Sequence, residues 1–298
     1  MKISPLNLIS SPLAVLNSLG LNLRVGLSSE DPSVMEHSEP YDVVLSVYSP
    51  EGLMEKQMRI GEIPINSRRF FDVSRITREL IPDLNHLAVI HRVPSKLFRQ
   101  MSDLSDQIEV NDLPDYSLFR TVIEYSLPGG ANGSVIYESP PGLNTRPSSN
   151  NLTFTSQIVL SEAVNTHIVL INYSLNPSYK QITNYHFGIY TLDGKNVISD
   201  RVSVGPFGIT VLDVSNIIPD NVINEMQDSE DGFSVFNFVG YSDDASIMSV
   251  VVNLAPSLGG VSVEHTHPPQ TYLFPNKPTQ RSEVKKSAIA HWKLILTR

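Results

Sequence analysis

Three short segments of this chain occur twice in the same order, and that repetition limits the fold more than any single motif does. "YDVVLSVYS" (41–49) matches "THIVLINYS" (166–174), "FDVSRI" (71–76) matches "LDVSNI" (212–217), and "SVIYESPP" (134–141) matches "SVEHTHPP" (262–269). The separations are 125, 141 and 128 residues, so loop lengths differ while a framework is kept. Such a repeat predicts an internal duplication, with two copies of one small domain in tandem.

Within each copy the apolar period is that of strands. The first half reads as strands near 42–48, 56–63, 68–73, 86–93, 118–126 and 133–138. The second reads as strands near 167–173, 184–191, 197–204, 207–213, 233–239, 247–254 and 261–267. "SIMSVVVNL" runs on without alternation, as a strand covered on both faces does. "TLDGKN" (191–196) sets Asp-Gly between two β-rich runs and predicts a hairpin. "PGGANGS" (128–134) predicts a second hairpin turn, since it lacks the lysine and the strand–loop–helix setting of a phosphate loop. The expected fold is therefore all-β: two tandem, homologous antiparallel β-sandwiches of jelly-roll or immunoglobulin-like type.

The expected division is an N-terminal arm (1–40), a first sandwich (41–145), a second sandwich (152–276) and a basic C-terminal tail (277–298). "PPGLNTRPSSNN" (140–151) is the natural linker. Helical periodicity is confined to "SPLAVLNSLGLNL" and to "SKLFRQMSDLSDQI" (95–108), an insertion that the second copy lacks. "AIAHWKLILTR" alternates at period two, so residues 287–297 are expected to pair as a strand and bury Trp292.

The net charge of −9 argues against a general nucleic-acid binder, whose footprint is basic. That charge is uneven: residues 277–298 carry +5 and the rest −14. The absence of cysteine excludes disulfides, thiolate zinc sites and a cysteine nucleophile. No run approaches the ~18 apolar residues of a membrane helix. Pro5, Asn7, Pro12 and Asn17 interrupt the opening segment and argue against a signal peptide. The expectation is a cytoplasmic protein that forms a homo-oligomer and has no membrane span.

From Thr166 to Pro269 the sequence resembles the small β-sandwich of the sensory rhodopsin transducer family. The similar features are a tyrosine-containing first strand, a hairpin, a strand of the type V-x-V followed by "LDVS" (202–215), and the closing "VSVEHT". The resemblance implies a fold like that of carbohydrate-binding modules and a role in binding or signalling without catalysis. This chain departs from the family in its duplication, in the Pro-Pro after the last strand and in its basic tail.

Two candidate sites follow from the residues. On a strand, side chains at i, i+2 and i+4 share a face, so Val261, Val263, His265 and His267 point one way and Ser262, Glu264 and Thr266 the other. Adjacent imidazoles on one face are the geometry of a divalent-metal pair. A third ligand would come from His167, His186, Asp213 or Asp243. The first copy has Tyr137 and Ser139 in place of the two histidines, so the fold itself needs no metal there. The second candidate is aromatic: Tyr173, Tyr179, Tyr185 and Tyr190 surround the early strands of the second copy and suit stacking on a sugar. Of these, Tyr173 and Tyr185 are taken with His265 and His267 as the ligand-binding set. Asp72 and Asp213, each before Val-Ser and a helical turn, read as helix caps.

Three functions fit these features. The leading one is non-catalytic binding of a small molecule or carbohydrate by the second sandwich. The others are metal-dependent chemistry at His265 and His267, and a structural subunit of a larger shell-like assembly.

Overall fold

The computed structural model describes residues 2–29, 39–109, 120–130, 132–138, 152–227, 232–245, 247–265 and 278–296. The chain divides into two compact units, Met1–Pro128 with Asn132–Leu143, and Asn144–Arg298 with Gly129–Ala131. Each unit holds two four-stranded antiparallel sheets, as the alternating and continuous apolar runs require.

In unit 1 the strands are β1 (Lys2–Ile3), β2 (Ser10–Val15), β3 (Asn22–Ser28), β4 (Tyr41–Tyr48), β5 (Met54–Ile63), β6 (Arg68–Asp72), β7 (His86–Pro94), β8 (Ile108–Glu109), β9 (Arg120–Ser126) and β10 (Asn132–Glu138). Its front sheet has the order β2-β7-β4-β5 and its back sheet β10-β9-β3-β6. The two sheets face each other. Ser11 on β2 and Thr121 on β9 share a buried hydroxyl contact of 2.7 Å, and the Tyr125 hydroxyl donates to the Ala14 carbonyl at 2.7 Å.

Unit 2 contains β11 (Leu152–Ser161), β12 (Asn165–Asn172), β13 (Thr183–Thr191), β14 (Asn196–Val204), β15 (Gly208–Asp213), β16 (Phe233–Ser242), β17 (Ile247–Ala255) and β18 (Gly260–His265). Its front sheet is β11-β16-β13-β14 and its back sheet β18-β17-β12-β15. Ile168 and Leu170 of the back sheet meet Phe187, Phe236 and Phe238 of the front sheet in one core. Burial of side chains this large is the main stabilising term, at roughly 1.5–3 kcal/mol each.

Strand for strand, β2 to β7 and then β9 and β10 take the places that β11 to β18 take in unit 2. The correspondence extends to register. Arg24 pairs with Asp72 and Glu124, and His167 pairs with Asp213 and Val252. The contact between Ser11 and Thr121 is matched by one between Thr153 and Ser249 at 3.2 Å.

Several expectations need correction against this order. Residues 1–40 are not an arm, because β2 and β3 are strands of the two sheets. The segment 41–49 is the third strand of its series, whereas 166–174 begins in the second strand of the other, so that pair is not equivalent. Both strands are buried along nearly their whole length, which gives them the same apolar signature at different places. "SVIY" and "SVEH" do lie on corresponding strands but are one residue out of step. Ser134 pairs with Glu124 and Val263 with Val252, so Ser134 holds the place of Val263. A slip of one residue reverses the face of every side chain.

The second pair is equivalent. The Asp72 carboxylate accepts from the Arg75 amide at 2.9 Å and caps α1 (Val73–Arg78), and Asp213 accepts from the Ser215 amide at 3.1 Å and caps α3 (Val214–Ile217). A short helix, α4 (Asp220–Gln227), follows α3. The Ser74 hydroxyl accepts from the Leu23 amide of β3 at 2.7 Å.

The outer face of each front sheet is also covered. In unit 1, Leu6, Leu97 of α2 (Ser95–Phe98) and Ile108 of β8 pack on Val44 and Val93. In unit 2 the cover is α5 (Pro278–Leu296), where a strand was expected over 287–297. Ala288, Ile289, Trp292 and Leu296 share one helical face, and because three of them (Ala288, Trp292 and Leu296) also fall in the alternation the spacing serves both periods; the surrounding Lys, Ala and Leu favour the helix.

The cover of unit 1 encloses a complete polar network. His91 Nδ1 donates to the Leu6 carbonyl at 2.9 Å, so Nε2 is the acceptor and takes the Ser46 hydroxyl at 2.9 Å. Gln57 donates to Ser46 at 2.8 Å. Burial pushes the His91 imidazole down to about 4, against a weaker opposing pull from the Leu6 carbonyl. His91 is therefore neutral in the fold but protonates near 6.5 when unfolded. This contribution is complete above that value and is lost as pH falls towards 4, on the order of 3 kcal/mol in all. Burial lowers His86 and His167 as well, so the informative quantity is a difference. Urea unfolding between pH 7 and pH 4 should show a shallower loss of stability for His91→Gln than for the parent. Equal slopes would assign the acid sensitivity to other groups.

Candidate functional site

Those expected site residues that the structure describes are dispersed. Val261 and Val263 are buried while Ser262 and Glu264 are exposed, as the alternation of β18 requires. His265 ends β18 opposite Val250; its side chain and the whole of His267 lie outside the described residues. His167 lies two strands from β18 on the same back sheet. Asp213 is occupied by Asn165, Ser215 and Asn216. His186 and Asp243 lie at the front sheet, whereas β18 belongs to the back sheet. Among the described residues no group of three His, Asp or Glu side chains is placed to hold a metal ion.

The aromatic expectation also changes. Tyr185 is fully buried in the core, nearly parallel to Phe238 at 6.4 Å, and has no surface to offer a ligand. Tyr173 is buried edge-on to Phe207 at 6.1 Å, and Tyr179 meets the same ring at 6.0 Å while donating to Asn172. Tyr190 is the one of the four that lies on the outer face of the front sheet.

That face is built by register. His186 pairs with Tyr241, Gly188 with Val239, and Tyr190 with Asn237 across β13 and β16. Phe154 of β11 pairs with Val239, and Ser199 and Arg201 of β14 pair with Gly188 and His186. The result is a trough along Gly188 and Val239, with the Tyr190 ring lying across Gly188 and the stacked His186 and Tyr241 rings, 4.8 Å apart, beyond it. A side chain at Gly188 would strike the Tyr190 ring and Leu296, since a Cβ there would lie 2.7 Å from each. His186 Nε2 is 3.0 Å from the Asp243 carboxylate, which can only accept, so Nε2 carries the proton. Lys293 of α5 lies 3.6 Å from the other Asp243 oxygen and 5.5 Å from the Tyr241 ring centre.

Helix α5 fills the trough with Ile289, Ala288, Trp292 and Leu296, and Trp292 meets Tyr190 edge-on at 5.3 Å. Beneath it the hydroxyls of both Tyr190 and Tyr241 are buried with no hydrogen-bond partner among the described residues. Burial and the neighbouring Asp243 charge both push the Tyr241 phenol up, so it stays a neutral donor. A buried unpaired hydroxyl costs about 1–3 kcal/mol. Full burial of Ile289 contributes roughly 2 kcal/mol. Ala288, Trp292 and Leu296 add partly buried contacts, so the two hydroxyls offset only part of what the helix gains on this face. No sequence signal marks Tyr190 and Tyr241 as a pair, because their pairing depends on the β13–β16 register.

No known family model matches the chain, and no curated protein matches its sequence. Solved structures with partial likeness include a β-glucuronidase of Bacteroides uniformis, with 11% identity and a TM-score of 0.17 over 87% of this chain and 25% of that one. A glycosyl hydrolase family 2 member from Bacteroides cellulosilyticus gives 12% and 0.17 over 86% and 27%. The VP2 subviral particle of infectious bursal disease virus gives 9% and 0.18 over 80% and 58%. The chain spans about a quarter of the two bacterial proteins. At these scores none of them bears on the fold or role of this chain.

Removing either orphan hydroxyl should not weaken the fold. Tyr190→Phe and Tyr241→Phe are each expected to leave the thermal midpoint unchanged or to raise stability by about 1 kcal/mol. A loss of similar size in calorimetry would mean that the hydroxyls are paired in solution.

Proposed function

We propose that this chain is a non-catalytic binding protein whose ligand class is carbohydrate, held at the outer face of β11-β16-β13-β14. The observation that carries the reading is the pair of buried, unpartnered hydroxyls on Tyr190 and Tyr241. A sugar ring offers an apolar face that stacks on aromatic rings and a rim of hydroxyls that both donate and accept. Phe154, Tyr190 and Tyr241 supply rings along the trough, and Asn237, Ser199 and Arg201 supply polar groups at its register positions. Asp243, held between His186 and Lys293, suits a carboxylate that orients a ligand hydroxyl.

The common strand order of the two units and their matched inter-sheet hydroxyl contacts support an origin by duplication of one sandwich domain. On that reading, one copy closed its front face with a satisfied network around His91. The other kept polar groups in reserve.

A glycan array probed with the full chain tests the ligand class. Neutral oligosaccharides should bind, and Phe154→Ala should weaken binding by about tenfold, the loss of one stacking contact near 1.4 kcal/mol. Phe154 is 39% exposed, so the variant should melt with the parent. A folded protein that binds nothing on the array would sink the carbohydrate reading.

A further inference from the structure

We infer that helix α5 is a displaceable cover that competes with the ligand for the trough; the inference rests on the carbohydrate reading of that face. The argument comes from comparing two covers over the same sheet position within one chain. In unit 1 the cover arrives with its polar partners: Leu6 supplies a carbonyl to His91 and to Ser10, and Ser46 and Gln57 complete the network. Nothing would be gained by exposing that face. In unit 2 no described residue of the cover partners either tyrosine hydroxyl, although Trp292 and Leu296 pack directly on the same surface.

The way α5 is held points the same way. Of its described residues only Ile289 is fully buried, and Leu294 is 56% exposed. Its Lys293 meets Asp243 at 3.6 Å, between side chains 45% and 35% exposed, a class of ion pair that is weak and screened by salt. The sandwich core of unit 2 is formed by β11 to β17 with α3 and does not include α5. Lifting the helix leaves that core intact and opens Tyr190, Val239, Tyr241 and the His186–Asp243 pair to solvent. A ligand that pairs the two hydroxyls would bind only the open form, so the helix lowers its apparent affinity by the fraction of time the face is covered. Trp292 leaves the Tyr190 ring in the same event.

The full chain reports on this directly, because Trp292 is its single tryptophan. Ile289→Glu places a charge at the buried contact, and Lys293→Glu places one beside Asp243 without touching the core. Each variant and the parent are titrated with soluble oligosaccharides of the cello, malto, manno and galacto series, following Trp292 emission and, separately, heat of binding. Both variants should show red-shifted Trp292 emission before ligand is added and should bind about tenfold tighter than the parent, whose emission should shift red as ligand binds. Red-shifted variants with the parent's affinity would overturn the competing cover and leave the carbohydrate reading in place. Unchanged emission in both variants would show a helix that does not lift, and would overturn it as well. No binding by parent or variants would remove the carbohydrate reading and this inference together.

Discussion

Each front sheet carries apolar side chains on both of its faces, and that constraint forces a third layer onto what would otherwise be a two-layer sandwich. β4 is buried at every position, and Val44 faces away from the back sheet into Leu6, Leu97 and Ile108. In unit 2, Val239 and Ile289 meet on the corresponding surface. Exposing the apolar part of such a face to water is unfavourable, and in each unit a segment outside the strand framework covers it. The two units meet the requirement with unrelated segments. The insertion in unit 1 and the helix in unit 2 thus answer one physical demand, and they differ in whether the polar groups beneath are satisfied.

The strand framework was largely legible because alternation and two-sided burial leave different periods in a sequence. Residues 247–254 read as covered on both faces and residues 261–264 as alternating for that reason, and their burial agrees. The strands missed were those whose pattern is interrupted. β2 contains Pro12, which an edge strand tolerates because it pairs only with β7, yet which reads as a break. β3 contains Gly26, kept free of a side chain because the Phe70 ring lies over it; a Cβ there would be 2.8 Å away. β11 changes register between Thr155 and Ile158, so its alternation fails midway.

The site was legible only in part. Tyrosines of unit 2 were the right residue type, but Tyr185 and Tyr190 differ in face by the parity of one strand, and Tyr241 was not singled out at all. For residues 287–296 one spacing served both periods, and the balance fell to helix propensity across nineteen residues. What a sequence cannot reveal is a hydroxyl left without a partner, because that depends on which segment comes to rest upon it.

The order of the covers along the chain has a consequence for synthesis. Residues 95–109 lie between β7 and β9, so the growing chain of unit 1 already holds its third layer before its last strands emerge. Helix α5 follows β18, so all eight strands of unit 2 leave the ribosome ahead of it. Domains tend to fold as units as they emerge. The outer face that carries Tyr190, Val239 and Tyr241 is thus the last surface of unit 2 whose cover is synthesised.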